Sequence, residues 1–244
     1  MKKTLFLLAG LFLYAYEAKV EPFDIYKIKS SVSGSVVTAN KNLEAKHVKS
    51  ALIAQIDNVQ NRIDLQNAVD QEKILKEEIK NQEEIVKRKK DVYYKYKNLK
   101  TKSQTQKDLK FYDYMGALNQ LLNLRSQLKN TQANIKRLKD IISKKSIKAS
   151  GYVYKVYINK RDYVMPGQVV ADVYDTSKEK ITIFIPVEKI EGIKNKTVYI
   201  NGKKSDFKVY KIWSVPDSEY VTSYRVDLVG NGLKFGEIVK VELK

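Results

Sequence analysis

What most constrains this chain is an interruption. A strand-like pattern begins around Ser33-Gly34-Ser35-Val36-Val37 and begins again around Ser150-Gly151-Tyr152-Val153-Tyr154. Between them, from Asp57 to about Ser143, there is no proline and the only glycine is Gly116, so helix breakers and turn formers are nearly absent. In the second half of this stretch Tyr114, Leu121, Leu128, Ile135 and Ile142 recur every seven residues, with Ala117, Leu124, Thr131 and Leu138 three further on. That is the a/d spacing of helices that pack along their length. The first half is looser. Ile56 and Ile63 start a stripe that Ile79, Val86 and Tyr93 continue after a phase slip near Val69, the pattern of a stutter.

The apolar period fails between Leu99 and Asp108, where Asn98–Gln104 is crowded with side chains that compete for backbone hydrogen bonds. Thr105 followed by Asp108 resembles a capping box, with a carboxylate near the positive end of the next helix. Residues 57–145 are therefore expected to form an antiparallel α-helical coiled-coil hairpin with its tip at about 100–104. Each arm would reach about 60 Å at about 1.5 Å per residue. A core needs nothing that long; such a rod bridges distance.

The flanking segments, 19–56 and 146–178, each carry a glycine between strands, a short excursion and an apolar strand. Gly34 and Gly151 suit turns with positive φ, and Pro166-Gly167 suits a type II turn with Pro at the second position and Gly at the third. Neither half has enough strands to close a sandwich, so each leaves an unpaired edge. An antiparallel hairpin returns the chain to where it left, which lets the halves pair as one body. Residues 179–244 alternate through Ile181, Ile183 and Ile185, then Tyr224, Val226 and Leu228, then Val239 and Val241, with Gly202, Gly230-Asn231-Gly232 and Gly236 as punctuation. That pattern predicts about five or six short strands and a small β-barrel.

The chain starts Met1-Lys2-Lys3 and continues with an apolar run from Leu5 to Ala15. This reads as a secretory signal peptide over 1–18, cleaved after Ala15 or Ala18, or as an uncleaved amphipathic anchor. The run is short for a membrane span, which takes about 20 apolar residues. There are no cysteines, which excludes disulfides and thiolate chemistry, and the single histidine, His47, leaves little for a transition-metal site. A net charge of +18 would suit nucleic acid, an anionic membrane face or an acidic protein. The lysines lie scattered among Glu and Asp rather than on a recognition helix, so nucleic acid is not the expected partner. Asp172, Asp175, Glu188 and Glu191 read as strand-end and turn residues. With no phosphate loop or metal-ligand cluster, neither catalytic residues nor a cofactor are expected.

Several of these segments together resemble the periplasmic adaptor, or membrane fusion protein, family of the haemolysin-D and multidrug-efflux type. They are Val32–Val36 with Val48–Asp57, Ala149–Val153 with Val164–Gln168, and, further on, Ile183–Glu188 and Leu233–Val239. The resemblance implies an α+β multidomain fold: a biotinyl-lipoyl-like β-sandwich split by an α-helical hairpin and followed by a β-barrel. It implies an exported, non-enzymatic subunit in the periplasm, associated with the inner membrane. Its partners would be an inner-membrane transporter (a proton-driven efflux pump or an ABC type), an outer-membrane channel, and further copies of itself as a hexamer. Family members that dock a channel carry Arg, Leu and Ser at the hairpin tip. Lys95, Leu99 and Thr105 stand at those places here, and Lys for Arg loses a planar bidentate donor. Lipoyl carriers display their modified lysine on the turn that the insert replaces, so carrier function is not expected. A membrane-proximal domain found in other members has no counterpart, which implies a compact adaptor. The competing reading is a periplasmic coiled-coil scaffold or envelope-binding protein without a transport role.

Overall fold

The structure, a computed structural model, describes residues 15–216 and 219–244. Most of the leader expected at 1–18 lies outside the described residues, but Tyr16 already opens a strand. In chain order the elements are β1 (Tyr16–Lys29), β2 (Gly34–Ala39), β3 (Lys46–Ile56), α1 (Val59–Asn98) and α2 (Gln104–Lys144). They continue with β4 (Ser146–Val156), β5 (Tyr163–Val164), β6 (Val169–Pro186), β7 (Val198–Ile200) and β8 (Lys203–Lys204). The last three are β9 (Lys208–Ile212), β10 (Ser223–Gly230) and β11 (Ile238–Leu243). Hydrogen-bonded neighbours run β5-β2-β3-β4-β6-β1-β11-β7-β8, with β10 on β6 and β9 on β10.

The strands enclose two apolar cores. The first combines Val36, Ile53 and Ile56 from before the helices with Ile147, Val153, Val156 and Val173 from after them. The second is built from Ile181, Ile183, Ile185, Val226, Leu228, Val239 and Val241, together with Val20 of β1. Two long strands serve both. The first residues of β1, Tyr16–Lys19, pair with Ile238–Val241 of β11, and the rest of β1 pairs with β6. Strand β6 takes β4 along its first half and β10 along its second.

The boundary expected at 178/179 therefore falls inside a strand. Asp175-Thr176-Ser177-Lys178 has loop-like composition, yet Pro22↔Glu179 and Glu21↔Lys180 carry the ladder past it, and a β-bulge between Pro22 and Asp24 absorbs the irregularity.

The turn residues divide. Pro166 and Gly167 occupy the middle of a turn closed by Gln168 N–H to the Met165 carbonyl at 3.1 Å, with Gly167 at φ +86°. Gly236 sits similarly in a turn closed by Glu237 N–H to Lys234 O at 3.1 Å. Gly34 and Gly151 are not turn residues: Gly34 begins β2 and Gly151 lies inside β4. Both keep the expected positive φ, +151° and +124°, and close packing is a second reason for glycine. A Cβ on Gly34 would lie 2.7 Å from Ile56 Cγ2, and one on Gly151 would lie 2.9 Å from the Tyr174 carbonyl oxygen.

The helices continue the β3–β4 pair. Gln55 of β3 faces Ser146 of β4, and the chain leaves and returns through these neighbours. The root is tied by Ile56 N–H to Lys145 O at 2.8 Å and by Asp57 Oδ1, which accepts from the first helical amide, Val59 N, at 3.0 Å. In α2 the seam read from the sequence is the face turned inward: Ala117, Leu121, Leu124, Ile135 and Leu138 are buried, with Tyr114, Leu128, Thr131 and Ile142 half-buried. The seam of α1 differs from expectation. It runs through Leu65, Ala68, Glu72, Leu75, Ile79, Gln82 and Val86, with Tyr93 seven residues on, and there is no phase slip. Ile56 belongs to β3, and Ile63 points outward at 49 % exposure. Polar rungs hid the period. Glu72 accepts from Gln132 Nε2 at 3.0 Å, and Gln82 Nε2 donates to the Ala117 carbonyl at 2.9 Å.

Candidate functional site at the helical tip

The far end of the rod is the place where this chain offers residues at a distance from its cores. The two arms are antiparallel: Arg125 Nη2 meets Glu83 Oε1 at 2.7 Å, and Tyr93 stacks against Tyr114 with ring centroids 6.2 Å apart. With 40 residues in α1, the tip stands about 60 Å from the β strands at about 1.5 Å per residue.

Below the tip an aromatic cluster rivets the arms. Tyr93 contacts Phe111 at 5.5 Å and Tyr94 at 5.2 Å, and Phe111 contacts Tyr112 at 5.8 Å. Tyr112 is 67 % exposed, and Leu109 is also exposed. A groove of about 320 Å³ lies beside the cluster, lined by Tyr93, Lys97, Gln104, Lys107, Asp108 and Phe111. Six lysines against two aspartates between Tyr93 and Tyr114 make the region basic. Lys110 Nζ pairs with Asp113 at 3.0 Å, and this bond holds the Asp113 carboxyl below its usual range. Lys102 Nζ sits 5.3 Å from the centre of the Tyr96 ring.

The helix cap is not the one expected. Ser103 is the N-cap of α2: its Oγ accepts from Gln106 N at 3.3 Å, while Gln106 Oε1 accepts from Ser103 N at 3.2 Å. The reciprocal pair is a Ser-x-x-Gln box, the form in which the glutamine amide reaches back to the cap backbone. Thr105 lies inside the first turn and is exposed, and Asp108 accepts instead from Gln104 Nε2 at 2.7 Å.

Of the three expected tip residues, Lys95 is exposed in the last turn of α1, and Leu99 is the residue that ends it, extended at φ −81°, ψ 121° with its side chain in solvent. Thr105 stands on the other arm. The three sit at the same end of the rod on solvent-facing positions. The aromatic cluster and the true cap escaped the sequence reading. Ser103 and Gln106 at their three-residue spacing were the available signal for the cap.

Among the described residues, no helix is long and apolar enough to cross a membrane, and no group of three or more His, Cys, Asp or Glu is placed to hold a metal.

No protein-family model and no curated protein sequence matches the chain. Its backbone, however, is that of the membrane fusion proteins, as the resemblance implied. MacA from Actinobacillus actinomycetemcomitans superposes over 95 % of this chain and 78 % of its own, with a TM-score of 0.77 at 14 % identity. A membrane fusion protein from Streptococcus pneumoniae R6 covers 95 % and 98 % with a TM-score of 0.64 at 11 % identity. A MacA–MexA chimera carrying the Pseudomonas aeruginosa MexA α-hairpin domain covers 95 % and 78 %, with a TM-score of 0.60 at 16 % identity. At these identities the likeness concerns the fold.

Proposed function

We propose that this chain is a periplasmic adaptor subunit of a tripartite efflux or secretion system. In this reading the first core is a split lipoyl-like domain and the second a β-barrel. The β strands rest on an inner-membrane transporter, and the helical tip meets an outer-membrane channel through Lys95, Leu99 and Thr105. Copies assemble side by side as a homo-oligomer, a hexamer in the family pattern. The observation that carries the reading is the rod itself, a two-helix extension that contributes nothing to either β core and ends in an exposed, basic, aromatic tip. The membrane fusion protein fold of its structural neighbours supports the same reading.

A photo-crosslinking residue placed at Leu99 or Thr105 tests it in cells. Capture of an outer-membrane channel, together with sensitisation to toxic compounds or loss of one exported substrate on gene deletion, is the expected result. Altered cell shape without any transport defect, and no channel captured, would instead support an envelope scaffold.

A further inference from the structure

Away from the rod, four neighbouring strands carry one row of side chains on a single face. Cross-strand partners run Ile25↔Tyr174, Tyr174↔Tyr152 and Tyr152↔His47, so the row spans β1, β6, β4 and β3. Directly opposed residues share a face of the sheet, and this one points away from the first core, which takes Val153 and Val173 from the alternate positions. Tyr154, two residues along β4, joins the row by stacking on Tyr174 with centroids 4.7 Å apart and planes 11° from parallel. His47 meets Tyr152 edge-on at 5.2 Å, and its Nε2 lies 3.3 Å from Thr176 Oγ1.

The row is the floor of a cleft of about 490 Å³. Its wall is the loop before β11, which brings Phe235 over the strands. That wall is pinned: Gly236 N–H donates to Val20 O at 2.8 Å, and Val20 N–H donates to Glu237 O at 2.9 Å. The volume lies within the range of about 300–1,000 Å³ usual for ligand sites. Nothing in the adaptor reading uses this cleft.

The arrangement limits the ligand. Tyr154 and Tyr174 are stacked face to face with no gap between them, so they cannot box a cation as an aromatic cage does, and the half-exposed Tyr154 offers the apolar surface to a ligand. The charged lining, Lys19 and Glu21, is of opposite sign and gives an ionic ligand no net attraction. Burial first, then Tyr154 and Asp172, raises the Tyr174 phenol, which stays a neutral hydrogen-bond donor. What remains is an open apolar shelf edged by hydroxyl, imidazole, ammonium and carboxylate groups. A pyranose ring has the matching form: an apolar face of C–H groups that lies flat on a phenol ring, and a rim of hydroxyls that takes hydrogen bonds.

We infer that this cleft binds neutral oligosaccharide, stacking a sugar ring on Tyr154, which Tyr174 backs, with its hydroxyls toward Thr176, His47 and Lys19. The inference goes beyond the adaptor reading and stands or falls separately from it. Titration calorimetry of the chain with triacetylchitotriose and with cellotriose tests it, the two probes separating recognition of an N-acetylated glycan from that of a plain glucan. Binding of either trisaccharide is the expected result. Tyr154→Ala should weaken that binding about fivefold, and Tyr154→Phe, which keeps the ring, should stay within about twofold. Because Tyr154 is 54 % exposed, the variants should fold, which thermal melts verify. No binding of either sugar, an affinity that Tyr154→Ala leaves unchanged, or tighter binding of benzyltrimethylammonium than of the sugars would each overturn the assignment.

Discussion

Replacing Ser103 with alanine removes one half of the capping box that starts α2, the hydroxyl that accepts from Gln106 N, while the other half runs from the backbone N–H of residue 103 to Gln106 Oε1 and survives in alanine. N-cap serine to alanine costs about 0.5–2 kcal/mol in general. Here the bond that is lost, at 3.3 Å, is at the long end for its kind and solvent-exposed, which places the cost near about 0.5–1 kcal/mol. Opening of the first turn should then become about two to five times more frequent, at 1.4 kcal/mol per tenfold. The loss should stay local, because the nearest buried seam residue of α2, Ala117, lies three turns further along. Amide hydrogen exchange reads this directly. Gln106, whose N–H bonds to the Ser103 hydroxyl, and Lys107, whose N–H bonds to the Ser103 carbonyl at 3.2 Å, should exchange faster by that factor, while amides around Leu124 stay unchanged. Thr105→Ala is the control. It sits inside the turn with its side chain in solvent, and alanine is the better helix former, so exchange should hold or slow slightly. Faster exchange in Thr105→Ala than in Ser103→Ala would refute the assignment of the cap.

Leu138→Ala, which empties a 4 % exposed position packed with Ala68 and Leu65, should destabilise the rod by about 2–3 kcal/mol, the low end for leucine because two helices can close on the space. Denaturant titration followed by helix signal checks it, and an equal loss from the exposed Leu122→Ala would contradict the seam. Gly151→Ala forces a Cβ to 2.9 Å from the Tyr174 carbonyl at φ +124° and should cost about 1–3 kcal/mol or more; an unchanged melting temperature would disprove the close approach. The Tyr157 hydroxyl donates to Asp172 Oδ2 at 2.6 Å, and this bond, then burial and the carboxylate charge, raise the phenol from 10.0 to about 12. Because the folded value is the higher one, its stabilisation is complete below pH 10 and is lost as pH rises from 10 toward 12. Ultraviolet titration should show a late-ionising step that Asp172→Asn moves to lower pH, Tyr157 most and Tyr174 with it; an unchanged curve would remove that cause.

Much of this molecule could be read along the chain, for an identifiable reason. In α2 apolar residues hold nearly every a and d position, so period alone exposes the buried face. Near absence of glycine and proline between Asp57 and Ser143 fixes two long helices regardless of what surrounds them. Period alone does not show the α1 seam, because Glu72, which also pairs with Lys76 of its own helix at 2.8 Å, and Gln82 occupy inward positions, where they bond Gln132 and the Ala117 carbonyl across the rod. No pattern within α1 contains those partners. The continuity of β6 was hidden in the same way, since Asp175–Lys178 is loop-like by composition and is held straight by a ladder to β1. The positive φ of Gly151 was legible, but its second constraint was not, because that is a carbonyl more than twenty residues away.

The tyrosine row is the limiting case. Ile25, His47, Tyr152 and Tyr174 are unremarkable strand residues one at a time, and only hydrogen-bonded register across four strands lines them up. Local propensity and spacing thus determined that there is a rod and that strands flank it. Which partners satisfy its inward polar groups, and which distant side chains come to share one surface, were decided by tertiary pairing, because those interactions are between residues far apart in sequence.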